Sequence, residues 1–137
     1  MTVLLIASQD LRAATFGLWK EGSLTEVQAA AIPPEQILST LHECLRVWNI
    51  KVEDLDAVAV VTGPGSFTSA RISVTVANSI AFVRDIPVIE LPNPERQTLA
   101  QLVVKLDQQL AQAKPDVYAK PLYDRPPHIT LPSAHLG

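Results

Sequence analysis

The sequence predicts one α/β domain built on a mixed five-stranded sheet. Hydrophobic residues make up 47% of the 137 residues and charged residues 18%, which indicates a chain with a buried core. Three strand-like runs lie close together at the start and predict an antiparallel part. Strand-like runs then alternate with helical patterns, which predicts parallel strands joined by right-handed crossovers. The predicted element order is β-β-β-α-β-α-β-α.

The first three predicted strands are short and closely spaced. Residues 2–8 form a nearly continuous apolar run with β-branched side chains, which is typical of a strand buried on both faces. Residues 13–19 predict a second strand, and the Lys-Glu-Gly-Ser sequence after it predicts a turn. Residues 24–30 alternate weakly between apolar and polar side chains and predict a third strand.

Prolines and glycines mark the later elements. Adjacent prolines predict a helix start at residues 33–34, because proline is tolerated in a first turn, and apolar spacing extends this helix to Trp48. Residues 57–62 predict a buried strand that a Gly-Pro-Gly turn ends. The remaining predictions are a helix to about residue 83, a strand over 86–91, a helix over 94–113 and a proline-rich extended tail over 114–137. The predicted domain therefore comprises residues 1–113.

Composition limits the function classes. A net charge of −3 with 5% aromatic residues argues against a chain that grips nucleic acid by itself. The single cysteine, Cys44, has no internal disulfide partner, which favours a reducing compartment such as the cytoplasm. No signal peptide or membrane-spanning run is visible.

The turn after the fourth strand is the most specific local pattern. It joins a strand to a helix through Gly-Pro-Gly, so backbone N–H groups at the positive end of a helix dipole could hold an anion. The other interpretation is a tight turn in which glycine permits the bend and a hydroxyl caps the helix. It is not a P-loop, because the lysine of that motif is missing. The candidate anion residues are Gly63, Gly65, Ser66, Phe67 and Thr68.

The helix that follows this turn has an unusual composition. It is rich in small residues and has no charged side chain between Arg71 and Arg84. A helix without a charged face does not face water on either side. One side is expected to pack on the sheet. The other is expected to pack either on the helix over 34–48 or on a partner protein.

Residues able to do chemistry are scattered. His42, His128 and His135 lie far apart in sequence, and Cys44 has no evident base. The carboxylates near strand ends are interpreted as solvated loop charges. No catalytic residue, metal site or cofactor is therefore expected.

The turn and helix resemble a family signature. The segment Gly63-Pro-Gly-Ser-Phe-Thr-Ser-Ala-Arg-Ile-Ser73 resembles the G-P-G-S-F-T-G-x-R-[IV]-G signature of the TsaB (YeaZ) family, and Pro121–Pro127 resembles its terminal P-x-Y-x-R-P segment. The resemblance implies one domain of the ASKHA (actin-like, RNase H-like) fold. It further implies a non-catalytic subunit of tRNA threonylcarbamoyladenosine synthesis, shortened to its first domain and terminal tail.

The resemblance also implies partners. TsaB-like proteins pair with a TsaD-type catalytic subunit, which a TsaE-type ATPase joins, and they form homodimers through the same helices. Carried over by position, the interface residues would be Ile37, Leu41, Leu45, Phe67, Ser69, Ala70, Ser73, Val74, Ala77 and Ala81. The alternative function is a nucleotide- or anion-binding ASKHA-type enzyme that uses the turn over residues 63–68.

The sequence departs from the family pattern at three points. Ala7 stands where the family has an acid on its first strand. Ser69 and Ser73 stand at two signature glycines, which is expected to shift the partner geometry. Family members are also longer and carry a second domain.

Overall fold

The computed structural model describes residues 1–122 and contains a mixed five-stranded sheet with helices on both faces. The strands are β1 (Thr2–Asp10), β2 (Ala13–Lys20), β3 (Ser23–Ala30), β4 (Ala57–Gly63) and β5 (Val88–Pro92). Their order is β3-β2-β1-β4-β5. β1 is antiparallel to β2 and parallel to β4, so the predicted antiparallel and parallel parts are both confirmed.

The helices follow the predicted order. They are α1 (Ile37–Val47), α2 (Phe67–Arg84), α3 (Leu99–Leu102) and α4 (Leu106–Gln112), with 3-10 turns at Pro34–Gln36, Val52–Asp54 and Val103–Lys105. No helix within residues 1–122 is long and apolar enough to span a lipid bilayer.

The helix predicted over 94–113 needs correction. It begins at Leu99, because the hydroxyl oxygen of Thr98 accepts from the Gln101 N–H while the Gln101 side chain accepts from the Thr98 N–H. Val103–Lys105 then interrupts it as a 3-10 turn. The strand predicted from residue 86 begins at Val88, because the Ile86 N–H closes the end of α2 on the Ala81 carbonyl oxygen.

Two apolar layers cover the sheet. α1 and α2 lie on one face with β1 side chains such as Leu4 and Ile6, and α3 and α4 lie on the other with Val3 and Leu5. All seven residues of β4 are buried, as expected of a central parallel strand. The sheet therefore places the carboxyl ends of β1, β4 and β5 at one edge.

The described end of the chain has neither helix nor strand from residue 113 to residue 122. The tail predicted over 114–137 continues past this point. His128, His135 and all but the first two residues of the Pro121–Pro127 resemblance lie outside the described residues.

Candidate functional site

The turn between β4 and α2 is held tightly against β1. The Ser66 N–H donates to the Gln9 carbonyl oxygen at 2.7 Å. A Cβ at Gly65 would lie 2.4 Å from that same oxygen, so only glycine allows the two backbones to approach this closely. Gly63 has a φ of +116°, which also favours glycine. The sequence pattern placed this turn correctly, and the structure gives the reason for its glycines.

The chain itself satisfies several polar groups at the start of α2. Ser66 is the N-cap residue, and its side-chain oxygen accepts from the Ser69 N–H at 3.3 Å. Ser66 and Ser69 thus use their N–H groups within the chain, which favours the interpretation of a capped turn. Phe67 and Thr68 are exposed at the same turn, and the Arg71 guanidinium lies 5.3 Å from the centre of the Phe67 ring. Anion binding here stays a prediction.

An amide network joins the carboxyl ends of β1, β4 and β5. The Gln9 side-chain amide donates to the Pro64 carbonyl oxygen at 2.7 Å and to the Asn93 carbonyl oxygen at 2.9 Å. In return, the Asn93 side-chain amide donates to Gln9 Oε1 at 2.9 Å. The Asn93 N–H donates to the Gly63 carbonyl oxygen at 2.7 Å. Neutral amides that bond to one another therefore occupy this edge.

A cavity of about 490 Å³ lies beside this network, between β1–β3 and α3. Ala7, Gln9 and Asn93 are among its lining residues, and an exposed ion pair between Asp10 and Arg96 (2.8 Å) lies at the same site. Ala7 lines this cavity with a methyl group and contributes no acidic side chain to it. Within residues 1–122, no three His, Cys, Asp or Glu side chains lie close enough together to hold a metal ion.

Sequence reasoning missed Gln9 and Asn93 as residues that shape this edge. Their side chains come together only because β1 and β5 flank β4. The available signal was local: Asn93 stands between two prolines directly after a strand, where an amide side chain readily bonds to nearby backbone.

The scattered reactive residues have structural surroundings. Burial raises the pKa of the Cys44 thiol, and the Glu43 carboxylate raises this pKa further, so the thiol is a weak nucleophile at neutral pH. Asp56 accepts from the Thr2 N–H at 2.7 Å, and Asp54 accepts from the Lys51 N–H at 2.8 Å. These carboxylates therefore cap backbone groups.

The expected interface residues lie mostly inside the chain. Nine of the ten are buried in the described structure: Ile37, Leu41, Leu45, Ser69, Ala70, Ser73, Val74, Ala77 and Ala81. Phe67 is 39% exposed. The small residues of α2 pack on the sheet and the apolar residues of α1 pack with them, so these side chains stay a prediction as an interface.

The serines at the signature glycine positions also face inward. The Ser69 hydroxyl donates to the Asp10 carbonyl oxygen at 3.0 Å, and the Ser73 hydroxyl donates to the Ser69 carbonyl oxygen at 2.8 Å. Both residues are fully buried. The Ser69 hydroxyl joins α2 to β1, and the Ser73 hydroxyl bonds within α2. Neither serine therefore adds bulk to the outer side of the helix.

The outer side of α2 is largely uncharged and partly apolar. A groove of about 370 Å³ lies on its first half, lined by Phe67, Thr68, Arg71, Ile72, Thr75 and Val76. At the second half, Phe82 is 72% exposed and Val83 79% exposed. We call the exposed side that contains these residues the outer face of α2.

The comparisons with known proteins agree with this architecture. The sheet order, the helices on both faces and the strand–turn–helix signature define an RNase H-like domain of the ASKHA class. The structure of YeaZ from Pseudomonas aeruginosa superimposes with a TM-score of 0.60 and 26% identity, over 67% of this chain and 45% of that one.

The sequence comparisons identify the family. The family model described as "TsaD: tRNA N6-adenosine threonylcarbamoyltransferase" matches residues 29–113, which is more than half of the chain. "tRNA threonylcarbamoyladenosine biosynthesis protein TsaB" of Haemophilus influenzae is 31% identical over 107 residues, 77% of this chain and 44% of that protein. A "tRNA N6-adenosine threonylcarbamoyltransferase" of Bacillus anthracis is 37% identical over 71 residues, 52% of this chain and 21% of that protein. The chain belongs to this family, and within it to the TsaB/YeaZ proteins.

The chain spans less than half the length of each of these relatives. The matched part is the domain that contains the turn and α2.

Proposed function

We propose that this chain is a non-catalytic, TsaB-like subunit of the machinery that makes threonylcarbamoyladenosine in tRNA. It supports a TsaD-type catalytic subunit through α1 and the outer face of α2, and it forms a homodimer through the same surface when alone. A TsaE-type ATPase joins the complex in the cytoplasm. The tRNA is gripped elsewhere in the complex, because this chain has a net charge of −3.

The outer face of α2 carries the proposal. This face has no charged side chain between Arg71 and Arg84 and exposes Phe82 and Val83 to solvent. Exposed large apolar side chains on a helix without a charged face are typical of a surface that a partner covers. Membership of the TsaB/YeaZ family supports the choice of partner.

The groups at the carboxyl ends of β1, β4 and β5 support a non-catalytic role. The Gln9 and Asn93 amides bond to each other at the edge where an ASKHA enzyme would need acidic groups, and Ala7 offers none. The Cys44 thiol is buried, with a raised pKa. A subunit that acts by binding needs only an intact outer face.

Size-exclusion chromatography with light scattering tests the proposal. The chain is measured alone and with a TsaD-type subunit from the same cell, and we expect a homodimer and a mixed complex respectively. Thr75→Arg places a charge on the outer face of α2 and should weaken both by at least about tenfold, since an unpaired charge at an interface is costly. Gln108→Arg, at an exposed site of α4 on the other side of the sheet, is the control and should behave as the unchanged chain.

The contrary result is a strictly monomeric chain that does not bind the TsaD-type subunit. That outcome would remove the proposed function and leave only the family membership.

A further inference from the structure

The last described residues lie against the side of α2 that carries Asn78. We call residues 117–122 the strap. The Asn78 side chain holds the strap from two sides: its Oδ1 accepts from the Ala119 N–H at 2.9 Å, and its Nδ2 donates to the Ala119 carbonyl oxygen at 3.0 Å. Asn78 is therefore a clamp that pairs with the backbone of one strap residue in both directions.

Two further hydrogen bonds fix the strap beyond this clamp. The Lys120 N–H donates to Glu90 Oε2 at 2.8 Å, and the Leu122 N–H donates to the Thr62 carbonyl oxygen at 2.7 Å. Ala119 is 5% exposed and belongs to the core between the sheet and α2. The strap is thus an integral part of this side of the domain, attached to α2 at Asn78, to β5 at Glu90 and to β4 at Thr62.

The position of Asn78 on α2 decides what a partner meets. Phe67, Arg71, Thr75, Asn78 and Phe82 follow spacings of three and four residues, so they share one stripe of the helix. α2 has 18 residues and is about 27 Å long, and Asn78, which holds the strap, lies in its second half. A partner that follows the stripe past Thr75 therefore reaches the strap at Asn78 and at Phe82, whose ring lies beside Tyr118.

The strap adds apolar surface at this crossing. The Tyr118 ring lies 6.5 Å from the Phe82 ring, and Tyr118 is 38% exposed. Val117, next to Tyr118 in the chain, is 61% exposed. Together Phe82, Val117 and Tyr118 form one patch, which we call the strap patch.

We propose that the strap is part of the partner-binding surface, so that the protein partner of α2 contacts the strap patch with the strap in place. The inference rests on the proposed function, because it concerns the same partner. The occupant is a protein with an apolar, uncharged face, since it must cover two exposed aromatic rings and a helix without charge between Arg71 and Arg84. Asn78 is a positioning residue, because it acts by holding the strap.

Affinity measurements on the full chain test this inference. The dissociation constant for the TsaD-type subunit is measured by titration calorimetry for Tyr118→Ser, Asn78→Ala and Val117→Asp. We expect each to weaken binding by about tenfold or more, since buried aromatic anchors dominate interface energetics. Val104→Asp is the control for Val117→Asp: both valines are exposed (78% and 61%), but Val104 lies on the other side of the sheet. It should stay within about twofold.

Hydrogen exchange gives a second readout that does not depend on a variant's folding. A partner that binds the strap in place should slow exchange of the amides in residues 117–122, whereas a partner that displaces the strap should speed it. Tighter or unchanged binding by Tyr118→Ser and Asn78→Ala, together with faster strap exchange in the complex, would overturn the inference.

The two proposals fail in different ways. If the unchanged chain binds and Thr75→Arg does not, while the strap variants bind normally, only the inference is wrong. If the unchanged chain does not bind at all, the proposed function and the inference fall together.

Discussion

At the scale of single residues, two glycines are required for different reasons: Gly65 because of a close backbone contact, and Gly22 because of its backbone angle. A Cβ at Gly65 would lie 2.4 Å from the Gln9 carbonyl oxygen, which is backbone and cannot move aside cheaply. Gly22 has a φ of +89° in the β2–β3 turn, and a Cβ there would meet nothing within 4 Å. The two glycines therefore separate a steric cost from a conformational one.

We predict that Gly65→Ala destabilises the chain by about 2–4 kcal/mol, because the turn must move away from β1. Gly22→Ala should cost only about 1–2 kcal/mol, the price of a left-handed alanine. Urea unfolding followed by circular dichroism measures both. Equal losses for the two variants would mean that the turn does not press against β1 as closely as described.

At the scale of elements, hydrophobic period and turn residues predicted all five strands and the order of the helices. β4 and β1 were evident because a strand buried on both faces reads as a continuous apolar run. The start of α3 was misplaced because the Thr98–Gln101 capping pair outweighs the apolar stripe that begins nearby.

The candidate site was predictable only in part. The absence of charged side chains between Arg71 and Arg84 predicted that α2 has an unusual outer side. It did not predict which side chains point outward, because small residues fit a sheet contact and a partner contact equally well. The Gln9–Asn93 pairing and the strap clamp at Asn78 join residues 84 and 41 positions apart, so no local pattern contains them.

The attachment of α2 to β1 can be tested with a matched pair of serines. Ser69 and Ser73 are both fully buried, but only the Ser69 hydroxyl bonds outside the helix, to the Asp10 carbonyl oxygen. We predict that Ser69→Ala costs about 1 kcal/mol. Ser73→Ala should be neutral within about 0.5 kcal/mol, because the Ser73 hydroxyl bonds only to carbonyl oxygens of its own helix, and alanine is the better helix former. Thermal unfolding compares them, and a larger loss for Ser73→Ala would contradict this account.

At the scale of the whole molecule, two regions are candidates for the functional surface: the sheet edge at the carboxyl ends of β1, β4 and β5, and the outer face of α2. The edge is where the alternative function, a nucleotide- or anion-binding enzyme, would place its ligand. There the Ser66 N–H already bonds to the Gln9 carbonyl oxygen, and the Gln9 amide already bonds to Pro64 and Asn93. A phosphate group would have to break these bonds without gaining a lysine or an acid-held magnesium ion in return.

We therefore predict that the isolated chain does not bind ATP or ADP with magnesium more tightly than about 100 µM, which corresponds to a binding free energy weaker than about −5.5 kcal/mol. Isothermal titration calorimetry measures this, with an established ATP-binding protein as the positive control. Saturable submicromolar binding would favour the turn over residues 63–68 as a working anion site, because no other helix of eight residues or more within residues 1–122 begins after a Gly-Pro-Gly turn. Weak or absent binding, with an intact complex on the outer face of α2, assigns the function to that face, since the same chain would then recognise protein and not nucleotide.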